Sequence, residues 1–414
     1  MFNLQIDHRP YTDKYFLRSN EILKADNLNP FVRMQVFVRK SNNNQIHGLN
    51  EALEILQKYS KLTDARIYSL SEGDNYAPKE TCMIIEAKIQ DIIELETMYL
   101  GVISRETTLH ASCNYLHAIN SDIQQAHYDE HKKYVEKHIL DNTFQTFSEI
   151  RELIGKDRKL IYMGARHWGW ELDAEIAKAA FDGGADDCST DIGAADENKL
   201  GVGTIPHALE NIYAWKYGME NAVVNSTLAF DKHIDKSVPR IALIDYNNHE
   251  YSDSLDTAKC LDKVGSNLDY VRVDTCGENF MQGILYDNGF LPFDDVNDYN
   301  KFYLCKGVAA IGVHRLRNTL NFSGFPHVKI LLSSGFGNIE KVKAFLEYEK
   351  LCQEFWGEDW KLFDGIGCGE CSWDEHMRMA GADVVAVGDT IDTMTEVHKV
   401  GRGPRPNSNL KRVL

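Results

Sequence analysis

Two rhythms of apolar and polar positions divide the chain near residue 140. Before it, strand-like runs, "RMQVFVRK" at 33–40 and "TCMIIEAKI" at 81–89, interleave with helical patterns, "GLNEALEILQKY" at 48–59 and "LETMYLGVISRETTLHASCNYLHA" at 95–118. This mixture predicts an α+β domain over residues 1–140. A polar, strongly helical segment at 122–142 closes it and reads as a bridging helix.

From about 160 to 390 the rhythm changes to short, continuously apolar runs: "KLIYMGARH", "RIALIDYN", "LDYVRVDT", "VKILLSSGFG", "KLFDGIGCGE" and "ADVVAVGDT". Each ends in small or polar residues, and most are followed by a helical pattern. Such runs suit strands buried on both faces, so a parallel α/β sheet, closed as a barrel or open, is expected over 141–390. The basic, proline-containing ending at 391–414 is expected to run over the surface or back to the first domain.

With 414 residues, 43% of them hydrophobic, the chain has material for a large core. Nine cysteines are scattered without the spacing of a disulfide framework, which fits reduced thiols in the cytoplasm. There is no basic and apolar leader, and no stretch nears the roughly 20 apolar residues that a membrane span requires. A formal net charge of -17 sets the overall field against nucleic acid and anionic membranes. A phosphorylated ligand would therefore need a local pocket of cations and backbone amides.

The ends of the apolar runs supply such groups. The first closes with Arg166 and His167, others with Asp245, with Arg272 and Asp274, with Ser333, Ser334, Gly335 and Gly337, and with Gly365, Gly367 and Gly369. In a barrel these residues would gather at the carboxyl-end mouth, where barrel enzymes keep their chemistry. Two successive glycine-rich loops favour phosphate over mere tight turns, because small residues let backbone amides approach the oxygens. Asp245 and Asp274 read equally as helix caps or as groups around a sugar, and Arg272 beside Asp274 as a binding pair or a salt bridge. The segment "GVGTIPHALE" places Thr204 and His207 after a glycine-rich approach. "CGEC" spaces Cys368 and Cys371 like metal ligands but has no second cysteine pair, so no metal site is assigned. Trp168, Trp170, Trp356, Trp360 and Trp373 are expected in packing, and His314 and Arg315 read either as phosphate contacts or as a solvated helix face.

Taken in order, "YTDKYFLRSNEIL", "MQVFVRK", "MIIEAKI", "LETMYLG", "GARH", "AAFDGGADDCSTDIGA", "GTIPHAL", "ALIDYNNHEY", "YVRVDT", "ILLSSGFG", "FDGIGCGE" and the ending "VGRGPRPNSNLKRV" resemble the nicotinate phosphoribosyltransferase family, within the type II phosphoribosyltransferases. The resemblance runs from about residue 11 to 414. It implies an irregular α/β barrel plus an α+β sandwich-like N-terminal domain completed by the C-terminal segment, assembled as a homodimer. The implied reaction joins nicotinate to phosphoribosyl pyrophosphate and releases pyrophosphate, with Mg2+ accompanying the donor and, in some members, ATP hydrolysis coupled through a phosphorylated histidine.

Carried over by motif, Tyr15 corresponds to the residue that stacks on the pyridine ring, and Arg18 to a contact of the donor. Arg166 corresponds to the arginine facing the substrate carboxylate, with His167 beside it. Thr204 and His207 fall in the active-site histidine segment. Asp245 and Asp274 would lie around the ribose with Arg272, and Ser333, Ser334, Gly335, Gly337, Gly365 and Gly367 would cradle the 5-phosphate. The chain departs from the family at "HWGW" after Arg166, at the acidic "ADDCSTDIGAAD" and in the long section 277–303, which reads as an active-site or interface insertion. These departures keep nicotinamide and quinolinate as alternative substrates, and a silent nucleotide-binding regulator as the alternative of another class.

Overall fold

The structure is a computed structural model that describes residues 2–40, 45–112, 121–284, 300–369 and 377–414, with only the backbone for 121–125. In chain order the strands are β1 (Phe31–Val38), β2 (Arg66–Ser69), β3 (Thr81–Lys88), β4 (Lys159–Tyr162), β5 (Asp187–Cys188) and β6 (Ile241–Leu243). They continue as β7 (Tyr270–Val273), β8 (Lys329–Leu332), β9 (Gly365–Cys368), β10 (Ala380–Gly388), β11 (Thr395–Glu396) and β12 (Lys411–Arg412). Two six-stranded sheets result, ordered β11-β10-β1-β3-β2-β12 and β5-β4-β9-β8-β7-β6.

The first sheet is antiparallel throughout. β1 lies at its centre, with Val36 opposite Ala382 of β10 on one side and Met83 of β3 on the other. Buried residues crowd both faces of β1, and the helix Glu96–Ser112 packs over β10 and against the helix Leu49–Tyr59. The run "ADVVAVGDT", expected as a parallel barrel strand, belongs to this sheet as β10 and pairs antiparallel with β1. Continuous apolarity reports burial on two faces, which a central antiparallel strand shares with a parallel one. The C-terminal segment does complete the sheet, through β11 and β12 at opposite edges.

The second sheet is parallel throughout and curls into a half-barrel. Five of its strands coincide with expected apolar runs; the two-residue β5 was not foreseen, because Asp187 and Cys188 carry no strand pattern. Among the described residues β5 and β6 do not pair, so the barrel is open there. The bridging helix is longer than its polar stretch suggested and runs Ser121–Ile154. No described helix is long and apolar enough to cross a membrane.

Two joints hold the sheets in register with each other. The helix Lys14–Ala25 docks beside the end of β5, where the Lys14 amide donates to the Ser189 carbonyl at 2.7 Å and the Lys14 ammonium meets Asp191 at 2.7 Å. The second joint is a backbone contact between the helix Glu96–Ser112 and the turn after β4. At Gly101 an added Cβ would stand 2.3 Å from the Trp168 carbonyl oxygen. In an open helix, Gly to Ala stabilises by roughly 0.5–1 kcal/mol; here the clash should reverse the sign. We expect Gly101→Ala to lower unfolding stability by roughly 1–3 kcal/mol in urea titrations, and a raised midpoint would show that the two backbones are not in contact.

Candidate active site

Past β4, which pairs with β9, the chain enters a short 3-10 segment, Ala165–His167, close against Gly369 just after β9. A Cβ on Gly369 would lie 2.8 Å from the Met163 carbonyl oxygen and 3.0 Å from the His167 ring. His167 donates Nδ1–H to the Gly369 carbonyl at 2.6 Å. Burial, reinforced by the Arg166 charge, lowers its pKa to about 3, so the ring is neutral.

Arg166 points the other way, toward the antiparallel sheet. Its guanidinium donates to the Tyr15 hydroxyl at 3.2 Å and lies 3.5 Å from the Glu96 carboxylate. Asp13 is buried nearby and bonded to Thr97, its carboxyl pushed up by burial against the pull of Arg166. Burial also lifts the Glu96 carboxyl, to about 8, so near neutrality it is largely protonated although a cation stands beside it. One guanidinium is thus ringed by a phenol and two reluctant carboxyls.

A cavity of about 350 Å³ opens between the two sheets, with a side chamber of about 90 Å³. Tyr15, Phe37, Arg166, Arg272, Asp274 and Arg402 border both. Arg39 also borders both, and Lys79, ion-paired with Glu278, borders the main cavity. The local pocket of positive charge that an anionic chain would need is therefore present.

The side chamber holds a charged cluster. His207 opens the helix His207–Tyr217, and its Nε2 lies 2.9 Å from Asp245 Oδ1. The other Asp245 oxygen is ion-paired with Lys399, which arrives from the segment between β11 and β12 and is itself buried. Burial alone would raise Asp245, yet Lys399 and His207 hold it far below the usual carboxylate range. For His207, burial and then Lys399 pull the pKa below its ordinary value, against Asp245 and Asp274. Burial opposes ionisation of Asp274 as well, and Arg272 leads the groups that overcome it. His207, Asp245 and Asp274 bring donor atoms within 4.8 Å of one another. They do not fit a resident metal: Asp245 is taken by Lys399 and His207, and Asp274 by the Ser333 hydroxyl at 2.9 Å.

After β8 the chain makes a left-handed turn, φ 71° at Ser334 and 84° at Gly335, and then enters the helix Ile339–Trp356. The Ser334 carbonyl accepts from the Lys341 ammonium at 3.0 Å. Burial lowers the Lys341 pKa to about 8. Ser333, Ser334 and Gly335 face the main cavity together with Gly367.

Residues 13–107 match the family model described as quinolinate phosphoribosyl transferase, N-terminal domain. No curated protein matches the chain in sequence. Among solved structures, the nicotinate phosphoribosyltransferase from Vibrio cholerae superposes with TM-score 0.59 at 12% identity, over 95% of this chain and 88% of that one. The nicotinate phosphoribosyltransferase from Porphyromonas gingivalis gives 0.57 at 13%, over 95% and 93%. A structure titled as a putative nicotinate phosphoribosyltransferase from Saccharomyces cerevisiae gives 0.55 at 10%, over 95% and 96%. In fold the chain is similar to these nicotinate phosphoribosyltransferases.

Within this phosphoribosyltransferase fold, Tyr15, Arg166, His167, Arg272, Asp274, Ser333, Ser334, Gly335 and Gly367 meet at the main cavity, His207 at its side chamber, and Asp245 behind His207. Others stand elsewhere. The Thr204 hydroxyl donates to the Ile241 carbonyl at 2.9 Å, and Arg18 bonds the Gly203 carbonyl. Both border a further, mostly apolar cavity of about 350 Å³, which shares Tyr15, Met163 and Arg272 with the main one. Gly365 is a packing glycine, with Lys159 Cβ and Leu331 Cδ1 at 2.9 and 3.0 Å from where its Cβ would stand. Gly337 is buried beyond the turn and does not border the cavity. His314 bonds the Tyr348 hydroxyl at 3.0 Å, and Arg315 donates to the Gly283 carbonyl, so neither reaches the site.

The departures from the family pattern resolve locally. Trp168 and Trp170 are core residues. In the acidic stretch Asp186 is paired with Arg151, Asp187 with Lys159 and Asp191 with Lys14. Of the section 277–303, Gly277 and Glu278 border the cavity and 285–299 lie outside the described residues, as do Cys371 and Trp373.

Asp13, Phe37, Arg39, Lys79, Glu96, Lys341, Lys399 and Arg402 were not singled out in the sequence. The legible signals were Asp13 two residues before Tyr15, a lone glutamate opening the apolar helix pattern of "LETMYLG", and basic residues in the C-terminal segment. Glu96 offers a direct check. With its folded pKa near 8 against an ordinary 4.5, the native state holds a proton that the unfolded chain has released, so Glu96 should cost stability as pH rises through that window, by up to about 1.4 kcal/mol per pH unit. Urea unfolding at pH 5 and pH 8 should show Glu96→Gln gaining on the parent at the higher pH; parallel curves would remove the raised carboxyl.

Proposed function

We propose that this chain joins nicotinate to the anomeric carbon of phosphoribosyl pyrophosphate, giving nicotinate mononucleotide and pyrophosphate. The observation that carries the reading is one cavity bordered both by Arg166 with Tyr15 and by the Ser333–Ser334–Gly335 turn, with Arg272 and Asp274 alongside. Tyr15 and Phe37 offer aromatic surface to a pyridine ring, and Arg166 a cation to its carboxylate. The turn of small residues suits the 5-phosphate. Arg272, Arg402, Arg39 and Lys79 suit a pyrophosphate, with which Mg2+ would enter as part of the donor.

Chemically, the pyridine nitrogen lone pair forms the new bond to the anomeric carbon as the bond to pyrophosphate breaks. Positive charge develops on the sugar, and the ionised Asp274 stands where it can be stabilised. The unprotonated ring nitrogen needs no general base, so the chain contributes position and fixed charge. His207 presents a largely neutral imidazole to the side chamber, as an acceptor for a donor hydroxyl or, with ATP, for a phosphoryl group. The protein would work as a cytoplasmic homodimer.

Glu96 favours a second reading. A carboxyl beside Arg166 could take the amide of nicotinamide, whereas the second carboxylate of quinolinate would find the carboxyl groups of Asp13 and Glu96 and, among the described residues, no second cation packed beside Arg166. Pyrophosphate release should therefore be measured with nicotinate, nicotinamide and quinolinate, each with and without ATP. We expect nicotinate to be used, Arg166→Ala to raise its KM roughly 10- to 100-fold, and Asp274→Asn to lower kcat roughly 100- to 1000-fold. Turnover of nicotinamide alone would reassign the substrate; donor binding without release from any pyridine would make the chain a nucleotide-binding regulator.

A further inference from the structure

Lys399 is a cation that the C-terminal segment, on the antiparallel sheet side, supplies to the end of a half-barrel strand. Its ammonium pairs with Asp245, whose side chain has no exposed surface. Its segment is fixed there by the backbone, the Val400 amide donating to the Tyr246 carbonyl at 3.0 Å. Asp245 uses its two oxygens for different parts of the chain: Oδ2 for Lys399 and Oδ1 for His207 Nε2. A carboxylate can only accept, so His207 must donate Nε2–H, and in the neutral ring Nδ1 then carries the lone pair.

We propose that Lys399 is a positioning residue for His207, pinning Asp245 and balancing the carboxylates so that the ring stays the neutral Nε2–H tautomer with Nδ1 free as an acceptor. The groups that act on His207 are Asp245, Asp274 and Lys399, with Arg272 facing Asp274 and the buried Glu210 one turn further along its own helix. Burial holds Glu210 well above the usual carboxylate range, so it adds no charge near neutrality. Without Lys399, two ionised aspartates would face one imidazole, and the ring would gain a second proton. Nδ1 would then be a donor, unable to accept a hydrogen bond or attack an electrophile.

This rests on the reaction proposed above only for its consequence; the tautomer can be read without turnover. In 15N-histidine-labelled full-length protein, with the His207 signals assigned by His207→Gln, the parent should show a protonated Nε2 and an unprotonated Nδ1 at pH 7. Lys399→Met and Lys399→Gln should raise the pH at which the second nitrogen takes up its proton by about one unit or more, while Lys399→Arg keeps the parent pattern. Should the single charge removal prevent folding, the double variant Lys399→Met with Asp245→Asn removes both buried charges, and His207 should then lose its fixed tautomer. An unchanged titration midpoint in folded Lys399→Met, or an Nδ1–H ring in the parent, would overturn the proposal. The midpoint shift without any pyrophosphate release from the parent would instead sink the assigned reaction and leave this role of Lys399 standing.

Discussion

A carboxylate with no solvent contact stays ionised only if the chain brings compensating groups to it, and Asp245 sets that demand at the centre of the molecule. Its partners come from far apart in sequence: His207 from the start of a helix, and Lys399 from the C-terminal crossing between β11 and β12. Removing either would leave a buried charge short of a partner, which commonly costs several kcal/mol. Closure of the half-barrel against the antiparallel sheet is thereby tied to the electrostatics of the cavity between them.

Arg166 poses the converse problem and solves it differently. The guanidinium stays charged, and burial presses protons onto Asp13 and Glu96 beside it. That leaves the cation available to an incoming anion, because a Glu96 carboxyl that is largely protonated near neutrality does not neutralise it. The same economy explains how a chain of net charge -17 can offer an anion site. Arg39, Lys79, Arg166, Arg272 and Arg402 converge on one cavity, where Lys79 is paired with Glu278, while acidic side chains such as Asp186 and Asp191 are engaged in ion pairs outside it.

The strand ends of the half-barrel were legible because a parallel strand buried on both faces leaves a continuous apolar run, and the residues just past its end stand at the mouth. That logic placed Arg166, His167, Asp274, Ser333, Ser334, Gly335 and Gly367 around one cavity. It misassigned 380–388, since a central antiparallel strand writes the same run. Thr204 and Arg18, read as ligand contacts, each bond a backbone carbonyl here. A hydroxyl or guanidinium next to a glycine-rich segment looks the same in sequence whether it faces a ligand or a carbonyl.

What the sequence by itself determined was the set of elements: two rhythms, the β4 and β6–β9 runs of a parallel sheet, small residues where strands end, and the resemblance carried by their order. Those come from local periodicity and from where only small side chains fit. Only the tertiary structure decided which charges meet. Lys399 stands 154 positions from Asp245 along the chain, and no local pattern marks a lysine as the partner of a buried carboxylate. Pairing of buried charges is settled by how two sheets come together, because the cost of desolvating an ion is felt only once the fold has closed over it.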